Sequence, residues 1–202
     1  MPYIKHLSKD KKLSALIKKH GKFKLHKRKN ICLRLCASIM SQQLSTKVAD
    51  VIYKRFLNLF EGKFPLPEEI LLVKPETLRN IGLSNAKASY VHNVARFAVE
   101  NGMSAAKLYK MSNEEIIDYL TQIKGVGRWT VEMLLMFSLA REDVFAPDDF
   151  GIQTSMKQLY KIKNTGKKKM KEQMISVSEK WKPYRTYACL HLWHWKDNER
   201  KK

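Results

Sequence analysis

A glycine-flanked turn and an acidic pair are the residues in this chain best suited to chemistry. Gly125 and Gly127 flank Val126, so a tight turn there can leave its backbone N–H groups exposed. Such donors, beside the N-terminus of the following helix, bind a phosphate oxygen well. Beyond that helix come Asp148 and Asp149, where another helix is predicted to begin. Phosphate capture followed closely by a carboxylate predicts chemistry on a nucleic acid.

The composition favours the same partner. The chain has 202 residues and a formal net charge of +20, and its lysines and arginines concentrate in two runs, 5–29 and 157–171. This charge attracts a polyanion by counterion release, whatever the base sequence. Ribosomal, RNA-binding and membrane-surface proteins are also strongly basic, and many single lysines are expected simply to be solvated on helix faces.

The cysteines and the N-terminus indicate the compartment. Cys32, Cys36 and Cys189 are too few and too scattered for a disulfide framework, and three thiols cannot ligate an iron–sulfur cluster. The N-terminus is basic without a continuous apolar run, and no segment approaches membrane-spanning length. We therefore expect no membrane partner and an unsecreted protein, cytoplasmic and nucleoid-associated in a prokaryote or nuclear in a eukaryote.

Apolar residues recur at a helical period almost throughout, and alternating strand patterns are nearly absent. Helices are predicted to begin at Pro67 and Pro75, each with an acid in its first turn, and after Ser112, which can cap the next helix. A buried face is expected from Val48, Ile52, Phe56 and Leu59. The best candidate for a boundary between two segments of the fold is the lysine-rich stretch around 164–166. These patterns predict an all-α fold.

The segment 120–130, taken with Asp149, resembles the helix–hairpin–helix (HhH-GPD) DNA glycosylase superfamily, whose signature ends in a Gly/Pro-rich loop and a catalytic aspartate. Three more segments match in the same order. Segment 38–45 looks like the family's strand-invading loop, 82–90 like a second junction of the fold, and 181–193 like the C-terminal helix of the 3-methyladenine DNA glycosylase II branch. The resemblance runs from about residue 29 to residue 195.

The resemblance implies a two-lobed helical DNA glycosylase fold with a helix-hairpin-helix motif. Residues 1–202 would form a single HhH-GPD unit. Its central lobe, at approximately 30–145, would contain the hairpin, and residues 1–29 plus 150–202 would form the second helical lobe. Such a chain is expected to act as a monomer on double-stranded DNA that contains alkylated bases.

Asp149 is the implied catalytic residue, because the family places its acid second in the pair, directly before Phe150 and Gly151. Breaking a nucleoside C–N bond creates an oxocarbenium-like sugar, which a fixed carboxylate stabilises, or for which it orients water. A position at a helix start favours the charged form. The competing interpretation is a plain N-cap aspartate. Asp148 is the alternative catalytic acid, but it is rather expected to cap or fix the loop.

Trp129 determines the reaction subtype, since family members that also cut the strand carry a Schiff-base lysine at that position. A monofunctional glycosylase that leaves an abasic site is implied. An N-alkylated purine such as 3-methyladenine or 7-methylguanine is already cationic, so it departs without a general acid. Aromatic faces hold such a flipped base by cation–π stacking. By resemblance, Trp129, Met133 and Trp193 line the base pocket.

The resemblance also implies the DNA-binding residues, which are Gln42, Gln43, Leu44, Ser45, Lys124, Gly125, Val126, Gly127, Arg128 and Thr130. Gln43 and Leu44 are candidate wedges that fill the gap left by a flipped base, and Ser45 is also a candidate N-cap. In relatives the hairpin carbonyls hold a monovalent cation. Here a Na or K ion would be held by the carbonyls of Thr121, Ile123 and Val126. No other cofactor is expected to be required, and no iron-sulfur cluster.

Two other functions stay open at this point. A non-catalytic helix-hairpin-helix DNA-binding protein would share the charge and the hairpin but would need neither Asp149 nor the tryptophans. A glycosylase for another damaged base, oxidised or mismatched, would be expected to carry a lysine in place of Trp129 or cluster cysteines. A histidine metal site is not expected, because His191 and His194 lie three apart on a helix without carboxylate or cysteine partners at a suitable ligand spacing.

Overall fold

The computed structural model describes residues 1–163 and 166–199. Within these ranges it contains thirteen α-helices and no strand. The predicted all-α fold is confirmed. The predicted boundary at 164–166 falls largely outside the description, because Asn164 and Thr165 are not among the described residues. No described helix combines the length and the apolar character needed to cross a bilayer.

The helices, in chain order, are α1 (Pro2–Leu7), α2 (Lys11–His20), α3 (Ile31–Ser41), α4 (Thr46–Asn58), α5 (Pro67–Leu72), α6 (Pro75–Asn80), α7 (Asn85–Asn101), α8 (Ala105–Tyr109), α9 (Asn113–Thr121), α10 (Arg128–Phe137), α11 (Phe150–Tyr160), α12 (Lys167–Glu179) and α13 (Arg185–Glu199). The chain divides into two units. One consists of Met1–His26 with Ala140–Lys202, and the other of Lys27–Leu139. Their assignment to the two lobes of a glycosylase stays a prediction.

The first unit is built around α13, which packs against α2 and α11. The buried carboxylate of Asp10 connects the N-terminal and C-terminal segments of this unit. Asp10 caps α2 and accepts hydrogen bonds from Tyr160 (2.9 Å) and from the indole of the fully buried Trp181 (3.0 Å). Burial acts to raise the pKa of Asp10, but hydrogen bonds, led by that of Trp181, lower it overall. The carboxylate therefore stays charged and joins α2, α11 and the segment after α12.

The second unit is centred on α7, which packs against α3 and α5. Cys32 and Cys36 are buried free thiols of α3. The predicted buried face of α4 is only partly right. Ile52 and Phe56 are buried, whereas Val48 is 46% exposed because it lies in the first turn beside the exposed loop 43–45. Leu59 is half-buried just beyond the end of α4.

Local capping sets the helix starts where they were predicted. Pro67 and Pro75 occupy the first positions of α5 and α6. Ser112 accepts a hydrogen bond from the backbone N–H of Glu115 (3.2 Å), whose side chain accepts one in return from the N–H of Ser112 (2.6 Å). This reciprocal capping box places α9 directly before the hairpin.

Candidate active site and nucleic-acid interface

Asp149 is the N-cap of α11, with an extended backbone conformation. Its Oδ1 accepts a hydrogen bond from the backbone N–H of Ile152 at 2.9 Å. The predicted helix start is therefore confirmed, and the carboxylate lies at the positive end of the α11 dipole.

Trp193 of α13 reaches the same oxygen. Its indole N–H donates to Oδ1 of Asp149 at 2.7 Å, and the ring is half-buried. The base-pocket prediction gave Trp193 only a stacking role, and this hydrogen bond was not foreseen. A hydrogen bond to a carboxylate is roughly twice as strong as one between neutral groups. Asp149 is thus oriented from two directions.

Gly151 makes the contact between Asp149 and Trp193 possible. A Cβ atom added at this position would lie 2.8 Å from Trp193 Cδ1 and 3.0 Å from Asp149 Oδ1. Neither neighbour is the far end of a flexible chain, since the indole is rigid and the carboxylate is held. The glycine after Phe150 is the one sequence signal that could have revealed the contact.

Asp148 has a different environment from Asp149. Its Oδ2 accepts from Lys171 Nζ of α12 at 2.5 Å, in an ion pair that is partly open to solvent. This pair ties the loop before α11 to α12. The geometry agrees with the expectation that Asp148 fixes the loop.

The hairpin between α9 and α10 depends on Gly125. This residue has φ = 102°, and a Cβ there would meet Tyr90 Cγ at 2.2 Å. Gly127, the N-cap of α10, has φ = −96°, and no atom of the described residues would come within 4 Å of a Cβ added to it. Only the first glycine is therefore required by the fold, because the second has a conformation open to any residue.

The hairpin amides differ in their availability. The N–H of Val126 donates to the carbonyl of Ile123 at 2.9 Å, so it cannot serve a phosphate as was expected. The amides of Gly125 and Gly127 have no hydrogen-bond partner among the described residues. Lys124 is exposed, and its carbonyl accepts from Asn93 Nδ2 at 3.1 Å. A phosphate would therefore meet two glycine amides and one lysine side chain.

Several residues of the predicted DNA-binding set use their side chains within the protein. Thr130 is 3% exposed, because its side of α10 packs against α3, and its hydroxyl accepts from Gln42 Nε2 at 3.4 Å. Arg128 forms ion pairs with Glu114 (2.7 Å) and Glu132 (3.2 Å). The hydrogen bond to Glu114 is the main cause that raises the pKa of Arg128. The Thr130 hydroxyl is therefore turned into the protein and Arg128 is already paired with carboxylates. DNA contact by either residue stays a prediction.

The wedge loop, residues 42–45, is held from inside the second unit. Lys87 of α7 donates from Nζ to the carbonyls of Met40 (2.9 Å) and Gln42 (2.6 Å) at the end of α3. Burial lowers the pKa of Lys87. Ser45 caps α4, as predicted, by accepting from the N–H of Val48 at 3.4 Å. The clamp by Lys87 was not foreseen.

The two candidate wedges occupy the exposed tip of this loop. Gln43 has φ = 59° in the left-handed region, and both Gln43 and Leu44 are exposed. A side chain at such a tip projects outward while the clamp holds the loop's base. The geometry suits insertion between base pairs.

One face of α10 carries the other predicted pocket residues. Trp129 is 37% exposed, Met133 is half-buried one turn later, and Phe137 is exposed one turn beyond. Met133 and Phe137 line a cavity of about 410 Å³ within the second unit. This volume falls in the range of small-ligand sites, about 300–1,000 Å³. Phe137 was not among the predicted residues.

The hairpin carbonyls include Ile123, whose oxygen accepts from Val126 and retains a second lone pair. Thr121 donates its hydroxyl to the carbonyl of Ile117 at 2.8 Å. Neutral carbonyl oxygens suit a monovalent ion. Among the described residues, no group of His, Cys, Asp and Glu side chains could hold a metal ion.

A model of the HhH-GPD superfamily of base excision DNA repair proteins matches residues 36–183. The chain belongs to this family. DNA-3-methyladenine glycosylase 1 of Schizosaccharomyces pombe is 37% identical over 195 residues, which cover 93% of this chain and 84% of that protein. The putative DNA-3-methyladenine glycosylase YfjP of Bacillus subtilis is 33% identical, over 94% of this chain and 67% of its own.

Solved structures agree with the fold. The S. pombe 3-methyladenine DNA glycosylase in complex with abasic DNA superposes with a TM-score of 0.85 at 35% identity, covering 96% of this chain and 95% of that one. A DNA-3-methyladenine glycosidase from Bacillus halodurans gives a TM-score of 0.86 at 34% identity, covering 100% and 92%. The predicted family and its helical fold are confirmed.

Proposed function

We propose that this protein is a monofunctional DNA glycosylase that flips an alkylated purine out of duplex DNA and hydrolyses its N-glycosidic bond. The relatives named 3-methyladenine glycosylases support this substrate class. The observation that carries the proposal is the carboxylate of Asp149, held by two donors at the N-terminus of α11. A merely structural N-cap needs only the backbone donor.

The reaction uses the carboxylate as an electrostatic partner. When the C1′–N bond of a methylated purine breaks, its electron pair leaves with the base, whose positive charge is thereby neutralised. The sugar becomes an oxocarbenium-like cation, which the carboxylate of Asp149 stabilises. Water then adds to C1′ and loses a proton, so the product is an abasic site. Trp129 cannot form a Schiff base, so no strand cleavage follows.

The flipped base would be held by Trp129, Met133 and Trp193. Stacking on an indole face stabilises a cationic base by about 0.5–2 kcal/mol. The hydrogen bond from Trp193 to Asp149 fixes the plane of that indole, so its orientation is set before the base arrives. Such preorganisation lowers the cost of ordering the site during binding.

The DNA backbone would be bound at the hairpin. The amides of Gly125 and Gly127, with Lys124, supply donors for one phosphate, and a Na or K ion on the carbonyls of Thr121, Ile123 and Val126 would add positive charge nearby. Gln43 or Leu44 would fill the space of the flipped base, whose unstacking costs a few kcal/mol. We further propose that a monomer performs this repair, in the cytoplasm at the nucleoid of a prokaryote or in the nucleus of a eukaryote.

Base release from methylated DNA tests the proposal. The wild type should release methylated purines and leave abasic sites that break only after alkali treatment. Asp149→Asn should reduce release by about 100-fold or more, as expected when charge stabilisation is lost. Asp148→Asn is the matched control and should retain most activity, because Asp148 pairs with Lys171. Equal release by wild type and Asp149→Asn would exclude the assigned role, and no release by the wild type would favour a binding module.

A further inference from the structure

The cavity between α3, α4 and α10 has one apolar and one polar side. Met133, Leu134 and Phe137 of α10 form the apolar side. Arg34 of α3 and Tyr53 of α4 contribute polar groups to the same cavity, which the exposed carboxylate of Asp50 also lines. Met133 connects this cavity to the proposed base pocket, because it belongs to both. A base stacked against α10 would therefore turn one edge toward Arg34 and Tyr53.

Arg34 and Tyr53 bring polar groups that the fold itself does not use. Among the described residues, no hydrogen bond or ion pair reaches Arg34 Nε or the Tyr53 hydroxyl, although both atoms are buried. Burial raises the pKa of Tyr53 while the charge of Arg34 opposes the rise, so the two groups are neighbours and the hydroxyl keeps its proton. An unmet buried polar group costs about 1–3 kcal/mol. Two of them at one cavity indicate a ligand.

The chemistry of these groups selects the ligand's facing atom. A guanidinium only donates hydrogen bonds, and a protonated tyrosine can donate as well. The matching atom is an acceptor with partial negative charge, such as a carbonyl oxygen. A purine with an oxygen at C6, such as 7-methylguanine, has that atom. A 6-aminopurine such as 3-methyladenine presents an N–H donor there, which faces the guanidinium unfavourably.

We propose that Arg34 and Tyr53 determine base specificity by binding the O6 carbonyl of a flipped 6-oxopurine, which favours 7-methylguanine relative to 3-methyladenine. The inference rests on the proposed glycosylase function. It gives the cavity one end that binds hydrogen-bond acceptors, opposite the face of α10 that carries Met133 and Phe137.

The test measures both bases released from one sample of methylated DNA. Arg34→Met should lower the ratio of 7-methylguanine to 3-methyladenine released by about tenfold, as the loss of a charged hydrogen bond predicts. Tyr53→Phe should lower it by about threefold. Arg96→Met removes the same charge from an exposed position of α7 and should leave the ratio unchanged. Because the bases compete in one tube, the ratio does not depend on the fraction of enzyme that is folded.

The outcomes distinguish a failure of this inference from a failure of the proposed glycosylase function. An unchanged or increased ratio in both variants overturns the role of Arg34 and Tyr53, and Tyr53→Phe decides alone if Arg34→Met does not fold. If the wild type releases neither base, the glycosylase function fails. Binding of free 7-methylguanine and free 3-methyladenine, followed by tryptophan fluorescence, then decides the cavity's preference. Equal affinities of the wild type for the two free bases would contradict the proposed preference for a hydrogen-bond acceptor.

Discussion

The indole N–H of Trp193 and the backbone N–H of Ile152 donate to one oxygen, Oδ1 of Asp149, at 2.7 and 2.9 Å. The carboxylate is therefore fixed by α13 as well as by its own helix. Gly151 lies where any side chain would separate the pair. The positions of the acid, the glycine and the indole thus depend on one another.

Replacing Trp193 by phenylalanine keeps an aromatic face but removes the N–H donor. We expect the rate of base release in single turnovers to fall by about 10- to 100-fold, because a hydrogen bond to a charged group contributes about 1.5–3 kcal/mol. Affinity for DNA containing an abasic site should change little. Trp195→Phe, at a half-buried position on the same helix, is the control. A loss of DNA affinity equal to the loss of rate would point to a general structural effect instead.

The two hairpin glycines should respond differently to alanine. Gly125→Ala places a methyl group against the ring of Tyr90 at a positive φ, so the free energy of unfolding should fall by about 2–4 kcal/mol. Gly127→Ala should change it by less than about 0.5 kcal/mol, since its conformation and surroundings accept a side chain. Urea denaturation of both variants gives the comparison. Equal destabilisation would contradict the distinct roles of the two residues.

Local sequence features were enough to predict much of the architecture. Pro67, Ser112 and Asp149 each begin a helix because capping depends on neighbours within four residues. The family's motifs further predicted the order of the hairpin and the acidic pair. Both kinds of information are short-range or follow from known patterns.

Contacts between distant segments could not be predicted in this way. Thr130 lies next to the predicted phosphate-binding turn in the sequence, yet the packing of α10 on α3 buries it. The pairing of Trp193 with Asp149 spans 44 residues, and only Gly151 gives a local sign of it. Which face of a helix is covered depends on the tertiary fold, so the burial of a residue could not be inferred from its position along the chain.

The clamp on the wedge loop gives a third prediction. Lys87→Met removes both hydrogen bonds to the carbonyls at the end of α3, so the loop carrying Gln43 should lose its fixed position. Binding of duplex DNA with an abasic site should weaken by about 5- to 20-fold, which corresponds to one or two net hydrogen bonds. Fluorescence anisotropy measures this. Lys54→Met, which removes an exposed lysine of α4, controls for charge, and equal weakening by both variants would rule out a clamp.

Acid should destabilise the first unit through His191. This residue of α13 is fully buried, and burial, followed by the charges of His20 and His194, lowers its pKa from 6.5 to about 4.

Between pH 6.5 and about pH 4, His191 therefore binds a proton in the unfolded chain but not in the folded chain. The stabilisation present above pH 6.5 is lost as the pH falls toward 4, and it amounts to about 1–3 kcal/mol. His191→Leu should reduce the difference between the free energies of unfolding at pH 7 and pH 4.5, measured in urea. His26→Gln changes an exposed histidine and should preserve that difference. If His191→Leu leaves the pH dependence of stability intact, other groups must cause that dependence.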